Sequence, residues 1–195
     1  MSSVRLDEKY SPLTLTIGST CSSSSVDALI MIRSSHKTLF ASFGSKIKVE
    51  EKKFKFVKFK KGWIEQKDLK PINYKEKNIF NKINLYKNIK YKWGGKSYKG
   101  IDCSALIQIF LNFNNKFCPR DAKDQIKYFK KNIKLKNIKK NDIIYWKGHV
   151  AVAISKKKLI HAYGPMKKTV IMGINQTINR IAQTAKLKVI GIKRL

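Results

Sequence analysis

Between Cys103 and Gly164 the spacing of the apolar residues changes once, and that change limits the fold more than any other feature. Behind Cys103, the residues Leu106, Ile109, Phe110 and Phe113 recur at i, i+3, i+4 and i+7, one stripe of a 3.6-period helix. The following segment PRDAKDQIKYFKK offers Asp121 as an N-cap and sets Ile126 and Phe129 on one face, which predicts a second helix. From Asp142 onward the period is two. DIIYW (142–146), HVAVAIS (149–155) and LIHAYG (159–164) read as three strands joined by a Lys147-Gly148 turn and a lysine turn. Thr169 to Met172 and Leu187 to Ile192 also read as strands, with a short helix over Ile174 to Thr184. Helices first and sheet second imply an α+β domain.

The chain before this unit is patterned differently. Leu13, Leu15 and Ile17 alternate with threonines, GSTCSSSS (18–25) is a loop by composition, and Val26 to Ile32 suits a strand. Leu39 to Leu69 reads as several short strands: Ile47 and Val49 alternate with lysines, and Phe54 and Phe56 are offset from Val57 and Phe59 by an expected bulge. A Gly62-Trp63 pair and a turn ending at Leu69 come next. Short strands this close together suggest a small antiparallel barrel. Residues 10–72 resemble a bacterial SH3-like domain, which implies a first domain over 1–75 and a second over 76–195. Ile79 to Ile89 has the composition of a short helix packed on the glycine-rich loop and helix beyond it.

The net charge is +31, yet only five of the 43 basic residues are arginines. Nucleic-acid readers lean on arginine forks, whereas these lysines are spread along the whole length. The charge therefore argues for a solvated basic surface, or for an anionic polymer such as cell wall, rather than for nucleic acid. Cys21, Cys103 and Cys118 form no CxxC pair and no metal-ligand spacing. No apolar run reaches the roughly 18 residues of a membrane span. The start lacks a basic segment followed by an apolar one, so the expected location is cytoplasmic.

Cys103 is the residue with the clearest chemical prospects. It opens a helix, where unpaired N–H groups and the helix dipole are expected to lower a thiol pKa. Gly94, Gly95 and Gly100 precede it in an aromatic loop. A cysteine nucleophile needs a base and a group to orient that base. Of the three histidines, His36 sits in a poorly patterned stretch, while His149 and His161 lie on neighbouring strands. Alternation groups His149 with Ala151 and Ala153, a shallow face that a helix end is expected to approach. His161 would be a cross-strand neighbour of His149, provided an odd number of residues joins their strands. Burial as a small hydrophobe is the ordinary fate of such a cysteine, and Cys-His-His is also a permissible zinc set.

The segments YKWGGKSYKGIDCSALIQ, PRDAKDQ, NDIIYWKGHVAVAI and LIHAYG, in this order, resemble the NlpC-type cysteine peptidases, papain-like enzymes that cut peptides of bacterial cell wall. The resemblance covers about residues 85–195, and an SH3-like domain in front is a familiar arrangement there. It implies Cys103 as nucleophile, His149 as general base and His161 as the residue that orients it. It also implies Tyr91 as an oxyanion donor beside the Cys103 amide, with Trp93, Asp102 and Ser104 around the substrate and Asp102 on a free N-terminal amine. The implied reaction hydrolyses the γ-D-glutamyl–diamino acid bond of peptidoglycan peptides through a thioester, with no metal or cofactor. Where family members often carry a serine, this chain has Ala122. Another amide hydrolase or acyltransferase on the same fold, and a non-catalytic basic binding protein, are the alternatives.

Overall fold

The computed structural model describes residues 27–30, 42–60 and 62–195, the first four as backbone only. The strand expected at Leu13 to Ile17, Cys21 and His36 lie outside the described residues.

Six short strands come first: β1 (Asp27–Ile30), β2 (Lys46–Lys48), β3 (Glu51–Lys53), β4 (Phe56–Phe59), β5 (Gly62–Glu65) and β6 (Leu69–Pro71). They form two three-stranded sheets, ordered β2-β1-β6 and β3-β4-β5. Ile47, Val57, Phe59, Ile64 and Leu69 make their common core. The expected bulge near Phe56 is instead a chain reversal. Lys53 pairs with Phe56, so Phe54 and Lys55 form a two-residue turn with Phe54 at φ +50°. The phase shift in the apolar pattern comes from that reversal, not from an extra residue in one strand.

Phe43 ties this region to the rest of the chain. Its ring lies 4.7 Å from Phe110 and 4.6 Å from Phe113, centroid to centroid. Over 79–89 the expected short helix is a 3₁₀ turn at Ile83–Tyr86. The buried residues there are Phe80, Ile83, Tyr86 and Ile89, a spacing of three, and this is the period at which 3₁₀ side chains eclipse.

A two-strand ribbon, β7 (Lys96–Ser97) and β8 (Gly100–Ile101), leads into α1 (Cys103–Phe113) and then α2 (Ala122–Tyr128). The remaining elements are β9 (Lys131–Asn132), β10 (Ile143–Trp146), β11 (His149–Ala153), β12 (Lys158–Tyr163), β13 (Lys168–Gly173), α3 (Ile174–Ala185) and β14 (Val189–Arg194). Six of these strands make one antiparallel sheet, ordered β13-β12-β11-β10-β14-β9. This is the expected α+β arrangement.

Helix α1 is more deeply buried than one stripe requires. Ile107 and Leu111 are as enclosed as Leu106 and Phe110, while Ile109 is only half-buried. The helix is wedged between the sheet and an aromatic layer of Phe43, Phe80 and Tyr86, so apolar atoms meet it on two sides. On the sheet, α1 packs against Tyr145, Val150, Val152, Ile160 and Ala162. The alanine face of β11, with Ala151 and Ala153, packs with Trp146, Leu159 and Tyr163 under α3 instead. The expectation that a helix end approaches over the alanines is therefore wrong. The larger valines supply more apolar area, and α1, the more apolar and more deeply buried helix, takes the face that buries more.

Candidate active site

The loop before α1 is built for close backbone approach. A Cβ on Gly95 would lie 2.5 Å from the Gly100 carbonyl oxygen, and one on Gly100 would lie 2.6 Å from Lys92 Cβ. Gly95 and Gly100 let the chain fold closely on itself. The turn brings Asp102 to the N-cap of α1, where its Oδ1 accepts from the Ala105 N–H at 2.8 Å and its Oδ2 accepts from the Gly94 N–H at 2.9 Å. Cys103 is thus fixed as the first residue of the helix.

The thiol of Cys103 faces the start of β11. Trp146 pairs with His149 across the two-residue Lys147-Gly148 turn, so the next pair, Tyr145 with Val150, is one whose amides point outward from the ladder. On its other side β11 meets β12 only at Val152–Ile160 and Ala153–Leu159. The Val150 N–H projects into the opening between the strands, and it contacts the Cys103 thiol there, together with the amides of Cys103 and Ser104. These contacts favour the thiolate, but burial outweighs them and pushes the thiol up to about 11, with the Asp102 charge adding to the rise. The lowering expected at a helix start does not occur, because desolvation of an almost enclosed sulfur exceeds the benefit of the helix dipole.

The two histidines meet as the sequence implied, though on a diagonal. Extending the β11–β12 register sets His149 level with Tyr163, and His161 lies two pairs further in, level with Ala151. Five residues separate the registered pair Ala153 and Leu159, so the odd count needed for a shared face is met. His149 Nε2 and His161 Nδ1 lie 2.8 Å apart. Trp146 flanks His149 at 5.6 Å between ring centroids, and Tyr163 stacks on His161 at 4.6 Å with 14° between the planes. Burial lowers His149 to about 4. His161 falls to about 3, by burial first and then by the charge of His149. At neutral pH both rings are therefore neutral and share one proton along their hydrogen bond. If His149 Nδ1 is the accepting nitrogen, its Nε2–H donates to His161, whose own proton then sits on the buried Nε2.

The other expected residues surround the thiol unevenly. Tyr91 is held by its N–H donating to the Lys167 carbonyl at 2.8 Å, and its ring lies against Gly164. Its hydroxyl pKa is raised by burial and then by the nearby Cys103 and Asp102 charges, which places it on the side of the thiol. Trp93 is 82% exposed and forms no part of the packed site. Ser104 is buried, with its Oγ donating to Asp102 Oδ1 at 3.3 Å.

Sequence reasoning missed Arg120. Its Nη1 donates to Asp102 Oδ1 at 3.1 Å and to Ser104 Oγ at 2.9 Å, and its Nη2 donates to Asp102 Oδ2. The Asp102 carboxylate thereby receives five protein donors, and no oxygen is left open for a substrate amine. Gln125, also overlooked, is fully buried and donates from Nε2 to the Ser104 and Pro119 carbonyls at 3.0 Å each, tying α2 to the first turn of α1. The scarcity of arginine was the available signal. A chain that uses lysine almost everywhere keeps arginine where a planar fork must grip a carboxylate. Among the described residues, no group of three His, Cys, Asp or Glu side chains is arranged to hold a metal ion, and no helix is long and apolar enough to cross a membrane.

Comparison with known proteins gives a consistent picture. The model of the NlpC/P60 family matches residues 88–187. The chain is 36% identical over 72 residues to dipeptidyl-peptidase 6 of Lysinibacillus sphaericus, covering 37% of this chain and 27% of that protein. It is 28% identical over 131 residues to the gamma-D-glutamyl-L-lysine dipeptidyl-peptidase of Bacillus subtilis, covering 62% of this chain and 44% of that one. The chain thus spans less than half the length of these relatives. In fold it is similar to a crystal structure of an NlpC/P60 family protein from Bacillus cereus, with a TM-score of 0.66 at 20% identity over 87% of this chain and 60% of the other.

Proposed function

The chain belongs to the NlpC/P60 family, and we propose that it is a cysteine peptidase that hydrolyses the γ-D-glutamyl–diamino acid bond of peptidoglycan peptides. The observation that carries this reading is the hydrogen-bonded His149–His161 pair on a strand whose next amide, at Val150, contacts the Cys103 thiol. The name of the Bacillus subtilis relative supplies the γ-D-glutamyl–lysine bond, and that of the Lysinibacillus sphaericus relative the release of dipeptides.

In this reading Cys103 and His149 rest as a neutral thiol and a neutral imidazole. Attack on the γ-D-glutamyl carbonyl forms the carbon–sulfur bond as the thiol proton passes to His149, and the imidazolium that results is stabilised by His161. The tetrahedral oxygen accepts from the Cys103 amide and the Tyr91 hydroxyl. His149 then gives its proton to the leaving amine, leaving a thioester. Water, deprotonated by His149, attacks the thioester and restores the thiol. Asp102 and Ser104 act from beneath, holding the first turn of α1 in place, and Trp93 offers an exposed ring to the substrate side. Residues 1–75 act as an SH3-like unit beside a catalytic unit over 76–195.

Incubation with L-Ala-γ-D-Glu-L-Lys and with its diaminopimelate counterpart, followed by mass spectrometry of the products, tests the substrate. Release of L-Ala-γ-D-Glu from at least one is expected. If both peptides stay intact while other amides are cleaved, the substrate class is wrong.

A further inference from the structure

Phe54 occupies the turn of the β3–β4 hairpin with 95% of its surface exposed and φ at +50°. A two-residue hairpin turn that needs positive φ at its first position favours glycine or asparagine, because a Cβ crowds the neighbouring carbonyl. Phenylalanine there gains no packing among the described residues. Residues 50–60 hold five exposed lysines, Lys52, Lys53, Lys55, Lys58 and Lys60, against two acids, Glu50 and Glu51, and Glu51 lies 3.9 Å from Lys58 at the end of β3 away from the tip. Strand β3 is an edge strand with each of its three residues exposed, and Trp63, 37% exposed, lies opposite Lys58 on β5. The tip thus presents one apolar wedge flanked by Lys52, Lys53 and Lys55, with an indole set back towards the other end of the sheet.

We propose that this hairpin is a peripheral membrane contact that inserts Phe54 into an anionic lipid surface. A bilayer supplies both things the tip lacks: an apolar interior for the phenyl ring and acidic headgroups for the lysines. Trp63, one strand further back, suits the headgroup level, where indole rings are favoured. A phosphate-bearing wall polymer matches the lysines but gives the ring no apolar volume to enter. The contact is independent of the peptidase reading, since none of these residues touches Cys103 or the histidines.

The test is co-sedimentation of the full chain with phosphatidylcholine vesicles, with or without one part in four of phosphatidylglycerol. Binding to the anionic vesicles alone is expected, weakening as salt rises from about 0.1 to about 0.5 M. Phe54→Asn, which tolerates positive φ, should reduce partitioning about tenfold at an unchanged circular dichroism spectrum. Phe54→Trp should add fluorescence that brominated lipid quenches. Equal partitioning of wild type and Phe54→Asn would show binding by charge alone and overturn the proposal. So would an unquenched Phe54→Trp, or retention on purified wall polymer without any on vesicles. Should Phe54→Asn fail to fold, the Phe54→Trp result decides alone.

Discussion

Replacing Arg120 with methionine probes the support beneath Cys103. The change removes the donors to both oxygens of Asp102 and the donor to Ser104 Oγ, and leaves a carboxylate that is 8% exposed without its counter-charge. Breaking a buried pair from one side costs about 3–5 kcal/mol. Asp102 keeps the amides of Gly94 and Ala105, and Arg120 is itself 28% exposed, so the low end applies, about 3 kcal/mol. For a chain of this size that corresponds to a fall in Tm of about 6–12 °C by calorimetry. A double-mutant cycle with Asp102→Asn separates the pair from the rest. A neutral amide needs no counter-charge, so the two changes should be strongly non-additive, with a coupling of at least about 1.5 kcal/mol. Additivity within about 0.5 kcal/mol would refute a role for Arg120 through Asp102.

Two further outcomes stem from the electrostatics of the site and one from its loop. Since His149 is lowered to about 4 and the thiol is raised to about 11, kcat/KM should stay level through neutral pH and fall on the acid side near pH 4; an acid limb at the ordinary histidine value of about 6.5 would show that His149 is not desolvated. His149 and His161 bind protons in the unfolded chain from about pH 6.5 downward, but in the folded one only near pH 4 and pH 3 respectively. Stability is therefore fully kept above about pH 6.5 and lost as pH falls towards 4, which urea titrations across that window would read. Gly95→Ala forces a Cβ to 2.5 Å from a backbone oxygen, so the loop must move, and kcat/KM should fall at least about tenfold with the helices intact by circular dichroism.

The sheet and both helices around Cys103 were legible because each has one clear apolar pattern. β10, β11 and β12 are short, nearly continuous apolar runs bounded by glycine or lysine turns, as strands buried on both faces are, and α1 carries its stripe from Leu106 to Phe113. The 3₁₀ turn at Ile83–Tyr86 was missed because apolar residues at 79, 80, 83, 85, 86 and 89 satisfy two periods at once. Which face of β11 receives α1 was misjudged, since alternation separates faces without saying what covers them. The His149–His161 pairing depends only on parity and was foreseen, but its diagonal register depends on where the Ala153–Leu159 pair falls. The direction of the Cys103 pKa was wrong for a related reason. A sequence shows the helix start, whereas the enclosure that dominates comes from β11 and from chain segments far away. Arg120 was hidden because its partner lies 18 residues upstream, beyond any local spacing rule.

At the centre of this account stands Cys103 as the nucleophile of a peptidase acting on γ-D-glutamyl bonds. The most direct measurement is the rate of L-Ala-γ-D-Glu release from L-Ala-γ-D-Glu-L-Lys by wild type and by Cys103→Ala, with the folded state of both confirmed by calorimetry. Wild type should release the dipeptide and Cys103→Ala should be slower by at least about a thousandfold. Equal rates in the two proteins would contradict the account.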